Sequence, residues 1–193
     1  VKRLWWAMAV VVAFCVLGER LYAHPAPFSF IDVRLTSNEL EVTAVLHVWD
    51  VAYEYGIEDP NDLSDPAILG LRANDLGSLI TGRFEVRADG DPITFDTWSS
   101  PEIVSSRQSV RLQSTVRLGG APGHLQVSAD LFPYDPNHQT FLNFYEDQLT
   151  AQAILGGSAR DYEYFVGSRQ GTIAVLQRFI PAGVHHILIG PDH

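Results

Sequence analysis

A single cysteine in 193 residues leaves no disulfide framework and no Cys-rich zinc site. No apolar run reaches eighteen residues, so these residues do not hold a multi-span helical membrane bundle. Positive charge is scarce: Lys plus Arg is 13 against 23 Asp plus Glu, a formal charge of −10. That excludes a binder of nucleic-acid backbones, which needs a basic face. There is no Gly-x-Ser-x-Gly elbow, no phosphate-cradling glycine loop and no His-Glu-x-x-His pattern, so the expectation is a protein that is not an enzyme. What the chain does have is apolar material. At 46% hydrophobic and 19% charged, it can bury a core and falls outside the disordered class.

The N-terminal end reads as an export signal. Lys2 and Arg3 precede fourteen apolar residues, Leu4 to Leu17, and Gly18-Glu19-Arg20 ends the run before Leu21-Tyr22-Ala23. This is the basic, apolar and small-residue order of a secretory signal, predicting a signal peptide over 1–23 with cleavage after Ala23. Cys15 would leave with it. The mature chain would begin at His24 with 10 basic and 22 acidic residues, a charge of −12, once Lys2, Arg3, Arg20 and Glu19 are subtracted. The expected location is exported, periplasmic or extracellular, as a domain of a membrane protein.

Residues 24–170 read as one β-rich domain. Phe28–Leu35 and Leu40–Trp49 show the alternation of half-buried strands, with Leu40, Val42, Ala44, Leu46 and Val48 on one face. The acidic stretch from Glu54 to Asp65 reads as turns. Asp65-Pro66 reads as a helix cap followed by proline, and Leu69, Ala73, Leu76 and Ile80 form one helical face, with Gly82 as the stop. Gly70 and Gly77 inside that helix each cost about 1 kcal/mol relative to alanine. Asp89-Gly90 predicts a hairpin between 83–88 and 93–98. Further strands are expected at Arg107–Leu118 and Leu125–Leu131, with a hairpin of Phe141–Tyr145 and Leu149–Leu155. Seven or eight such strands predict a mainly β fold, an antiparallel β-sandwich-like domain with one inserted helix.

The last residues differ in character. Gly183, His186, Ile187, Gly190, Asp192 and His193 fit the pattern Gly-x-x-His-Ile-x-x-Gly-x-Asp-His. This pattern resembles the signature of the HupE/UreJ family, where it lies in the first transmembrane helix. The resemblance implies a membrane protein linked to hydrogenase and urease maturation and regarded as a nickel or cobalt permease. His24-Pro-Ala-Pro and the β-rich body are similar to the exported extension of some members. On this reading 171–193 is a connector and the beginning of the transmembrane domain, and the chain is the front portion of a longer protein held in the membrane by later spans. The implied metal residues are His186, Asp192 and His193, with nickel or another divalent metal ion as cargo and no resident cofactor. On an ideal helix His186 and His193 share a face but stand about 10.5 Å apart along the axis, so one ion needs ligands from other helices too.

Other candidates carry weaker patterns. As a mature N-terminus, His24 offers an amine and an imidazole that could chelate copper or nickel beside His47, His124 or His138. Asp130, Tyr134, Asp135 and His138 surround a proline-rich turn and read either as an oxygen cluster for calcium or as turn chemistry. Glu54, Glu58, Asp59, Asp62 and Asp65 read as a solvated acidic loop. Three functional expectations follow: an exported domain that gathers, gates or presents a divalent metal to a membrane permease; an anchored interaction module, recognisable by an exposed aromatic patch around Trp49, Tyr53 and Tyr55; or a sandwich enzyme with copper at His24. No residue pattern identifies a protein partner.

Overall fold

Period-two alternation of apolar side chains governs most of the strands, and the buried sets turn toward one shared interior. The computed structural model describes residues 28–167 together with 172, 173, 175, 176 and 180. Ten strands are formed among them: β1 (Phe28–Leu35), β2 (Glu39–His47), β3 (Phe84–Ala88), β4 (Asp91–Ile93), β5 (Glu102–Val104), β6 (Ser109–Arg117), β7 (His124–Ala129), β8 (Gln139–Tyr145), β9 (Leu149–Leu155) and β10 (Asp161–Phe165). They make two sheets. One has six strands in the order β5-β6-β2-β1-β8-β9, and the other has four in the order β10-β7-β3-β4. Pairing is antiparallel except between β1 and β8, which run parallel with Phe28 opposite Gln139 and Ile31 opposite Leu142.

The two sheets share one core. Ile31, Val33, Val42, Ala44, Leu112 and Leu142 from the larger sheet meet Phe84, Val86, Leu125 and Val127 from the smaller. Phe144 of β8 stacks on Tyr164 of β10 at 4.4 Å between ring centroids, joining the sheets directly. The fold is mainly β and sandwich-like, as the strand patterning predicts.

Between β2 and β3 the chain is helical, with three α-helices where one was expected: α1 (Val48–Tyr55), α2 (Pro66–Leu71) and α3 (Ala73–Arg83), plus a 3-10 turn at Pro60–Ser64. The expected strand to Trp49 stops at His47. There the backbone is still extended (φ −71°, ψ 137°), and its imidazole Nδ1 accepts the Trp49 N–H at 3.3 Å, a helix N-cap. Val48, Val51 and Ala52 then bury themselves at helical rather than strand spacing. Gly56 ends α1 in the left-handed region at φ 62°, which glycine adopts without strain.

Asp65 caps α2 as predicted, its carboxylate accepting from Ala67 N at 2.8 Å with Pro66 following. The long helix expected beyond it breaks at Arg72 (φ −97°, ψ 3°) and resumes as α3, which ends at Arg83 rather than Gly82. The break lets Leu69 and the set Leu76, Leu79 and Ile80 enter the core along two separate axes, while Leu71 between them is 84% exposed. The second strand expected at 93–98 is cut short at Ile93. Residues 94–101 run irregularly, tied to neighbours by Ser114 Oγ donating to Thr97 O and by Trp98 Nε1–H donating to Thr81 Oγ1. Among the described residues no helix is long and apolar enough to cross a membrane.

Candidate functional site

The buried polar groups concentrate where α1, β1 and the turn before β8 meet. α1 places Asp50 in its first turn, a position that suits negative charge at a helix N-terminus. Here the carboxylate is driven inward and has no exposed surface. The turn at 132–138 is closed by Asp135 N–H donating to Phe132 O, His138 N–H to Asp135 O, and Asn137 N–H to the Asp135 carboxylate. That closure delivers Tyr134 and His138 to Asp50. Tyr134 Oη–H donates to Asp50 Oδ1 at 2.6 Å, and His138 Nδ1 stands 3.5 Å from Asp50 Oδ2. On the other side of the ring, His138 Nε2 meets Ser29 Oγ at 3.2 Å, and Ser29 on β1 is wholly buried. Phe132 packs edge-on against the His138 ring at 4.9 Å.

Burial dominates the protonation of this group. It pushes the Asp50 carboxyl up to about 6, with the Asp135 charge adding to the rise and the Tyr134 hydrogen bond opposing it. Burial also lowers the His138 imidazole below its ordinary value, against the charges of Asp135 and Asp130, while His47 adds to the lowering. Both groups are thus shifted toward their neutral forms. One proton between Asp50 and His138 leaves the pair without net charge whichever of the two holds it. Serine, histidine and aspartate occur here in the order of a nucleophilic relay, but Ser29 offers no surface to a substrate. The group is a strut that ties the 132–138 turn to α1 through Tyr134 and to β1 through His138, while His138 Nδ1 and Asp50 Oδ2 lie close without a hydrogen bond between them.

Above this strut lies an aromatic surface. Trp49 and Tyr53, four residues apart on one side of α1, are 51% and 65% exposed. Tyr134 lies flat against Tyr53, with centroids 3.9 Å apart and 22° between planes, and Phe132 meets Tyr134 edge-on. Tyr55, expected to join this patch, is half-buried with the Arg72 guanidinium over its ring at 5.6 Å. The Glu54 carboxylate beside it is bound to Arg83.

The other expected residues fall apart. His24, His186, Asp192 and His193 lie outside the described residues. His47 is the cap of α1, its pKa lowered by burial. His124 stacks on Phe165 at 4.5 Å and faces Glu163 at 3.7 Å. The calcium-like cluster resolves into turn chemistry. Asp130 pairs with Arg160 at 2.8 Å, Asp135 holds Asn137 N, and Tyr134 and His138 turn to Asp50. Among the described residues no group of three or more His, Cys, Asp or Glu is placed to hold a metal. In the acidic stretch, Asp59 caps the 3-10 turn and Asp65 caps α2. An open groove of about 790 Å³ between α3 and residues 94–100, lined by Ser78, Thr81, Trp98 and Ser99, shares no residue with the Asp50 group.

Asp50 is the residue sequence reasoning missed. The strand expected to Trp49 leaves Asp50 just beyond its end, with no role assigned. The available signal was a carboxylate three residues beyond a histidine at the end of a strand, the spacing at which a helix start places an acid in its first turn. No family model matches this chain, and no curated protein matches it.

Proposed function

We propose that this chain is the exported N-terminal domain of a HupE/UreJ-like membrane protein, linked to uptake of nickel or cobalt or to maturation of an enzyme that uses them. The observation that carries the reading is the eleven-residue pattern from Gly183 to His193, with its paired Asp192-His193. Polar groups of this kind within an apolar helix are costly and serve ion pathways. Nickel is cargo on this reading. Neutral imidazoles of His186 and His193 and the carboxylate of Asp192 are ligand types that suit it, completed by groups from other helices. The export-signal pattern at 1–23 ahead of the β domain supports a folded part on the outer side of the membrane.

The test has two arms. The reading frame beyond the His193 codon is expected to encode several apolar segments of about twenty residues each. Cells carrying the gene should accumulate more radioactive nickel than cells carrying His186→Ala with Asp192→Ala. A frame with no such segments, together with equal nickel in both strains, sinks the reading.

A second reading, an anchored interaction module, is favoured by a separate observation. Trp49, Tyr53 and Tyr134 form an exposed aromatic face rigidly backed by the Asp50 group. Exposed aromatic clusters of this kind mark docking sites on soluble domains.

A further inference from the structure

The aromatic face and its surroundings define the chemistry of what it would hold, and this inference rests on the interaction-module reading. Negative charge lies beside the face, and more sits on the turn packed against its helix. Behind the face the Tyr134 hydroxyl donates to the Asp50 carboxylate; burial first, then this bond and the charges of Asp50 and Asp135, raise the Tyr134 pKa. The 3-10 turn Pro60–Ser64 packs against α1, with exposed Asp62 on it and exposed Glu58 and Asp59 just before it. Elsewhere this fold pairs half-exposed rings with arginine. Arg34 lies over Tyr145 at 4.7 Å, Arg107 over Phe30 at 5.2 Å, and Arg72 over Tyr55 at 5.6 Å. Tyr53 and Tyr134 stack on each other instead, beside two aspartates.

We propose that the Trp49–Tyr53–Tyr134 face docks a cationic segment of a protein partner, with an arginine or lysine side chain laid on the rings and its charge facing Asp135 and the 58–62 acidic turn. A ring's negative face attracts a cation, and nearby carboxylates strengthen that attraction where water is partly excluded. An apolar partner would strip water from Asp135 without replacing its hydrogen bonds. An anionic lipid surface would be repelled by the same charges and by the overall charge of −10.

The test uses the full chain and three probes: a short peptide of alternating arginine and glycine, the same peptide with neutral citrulline for arginine, and phosphatidylglycerol vesicles. Affinity is read by calorimetry and the contact by the Trp49 indole resonance. The arginine peptide is expected to bind, and the citrulline peptide to bind at least about tenfold more weakly. Trp49→Ala and Tyr53→Ala, both at exposed positions, should each weaken binding by about five- to tenfold, and Asp135→Asn by about threefold. Arginine-peptide affinity unchanged in the Trp49→Ala, Tyr53→Ala double variant would reveal diffuse charge attraction and overturn the proposal. Equal binding of the citrulline peptide through Trp49 and Tyr53 also overturns it while leaving an interaction module standing, and vesicle binding through this face assigns the face to the membrane instead. If no probe moves the Trp49 resonance, the proposal and the interaction reading fall together.

Discussion

Asp50 has two side-chain neighbours, Tyr134 and His138, and they test it in different ways. Tyr134→Phe deletes the 2.6 Å hydrogen bond and leaves the buried Oδ1 without a donor, so a loss of about 1–3 kcal/mol in urea unfolding is expected. A loss below a few tenths would mean that the bond is not formed in solution. The pH dependence has a defined sign. An unfolded aspartate titrates near 3.9, whereas the folded Asp50 titrates at about 6. Between these values the unfolded chain binds fewer protons, so the stability Asp50 contributes is complete below about pH 4 and lost as pH rises through about 6. His138 works the other way, since burial favours its neutral form and its contribution falls as pH drops below about 6.5. Comparing wild type with Asp50→Asn isolates the carboxyl: the wild type should lose up to about 3 kcal/mol relative to the variant between pH 4 and 7. Parallel pH curves would contradict an elevated Asp50. Tyr134 and His138 were legible in the sequence as residues of a proline turn, but their partner was not. Nothing in the order of residues brings position 50 to positions 134 and 138 until β1 and β8 pair.

At the scale of elements, the two glycines of the helical segment separate. Both look equally costly in sequence. A Cβ on Gly70 would meet open space, so Gly70→Ala should raise stability by about 0.5–1 kcal/mol. A Cβ on Gly77 would stand 3.0 Å from Trp98 Cδ1 and push the indole away from its bond to Thr81, so Gly77→Ala should lower stability by about 1–2 kcal/mol despite better helix propensity. Thermal melts of the two variants should move in opposite directions, and a shared direction would refute this account of Gly77. A third glycine shows the same principle. A Cβ on Gly156 would lie 2.5 Å from the backbone oxygen of His138, so the end of β9 approaches the Asp50 group closely only because that side chain is absent. The longer strands with clean alternation (β1, β2, β6, β7, β8 and β9) were legible to within a few residues. β5, three residues long, and β10, whose Asp161-Tyr-Glu-Tyr-Phe mixes charge with aromatics, were not. α1 was misread because Val48, Val51 and Ala52 begin helical spacing directly after a nine-residue strand, and a histidine rather than a serine or aspartate caps it.

At the scale of the molecule, the sandwich follows from two sheets that each bury one face, and sequence alternation suffices to predict that much. The parallel contact between β1 and β8 does not follow from local pattern, and it governs the order in which the domain can be finished. Asp32 on β1 bonds Asn143 on β8 through side chains 111 residues apart. A chain synthesised at roughly 5–20 residues per second delivers β8 about 5–20 s after β1. Until then β1 has only β2 beside it, its other edge unsatisfied, and Ser29 and Asp50 lack the His138 that joins them. Chains halted before residue 139 are therefore expected to stay protease-sensitive and to bind holding chaperones. Chains released beyond residue 167 should become resistant in one cooperative step. The domain therefore closes late, because its earliest strand waits for one of its last to complete the pairing on its open edge.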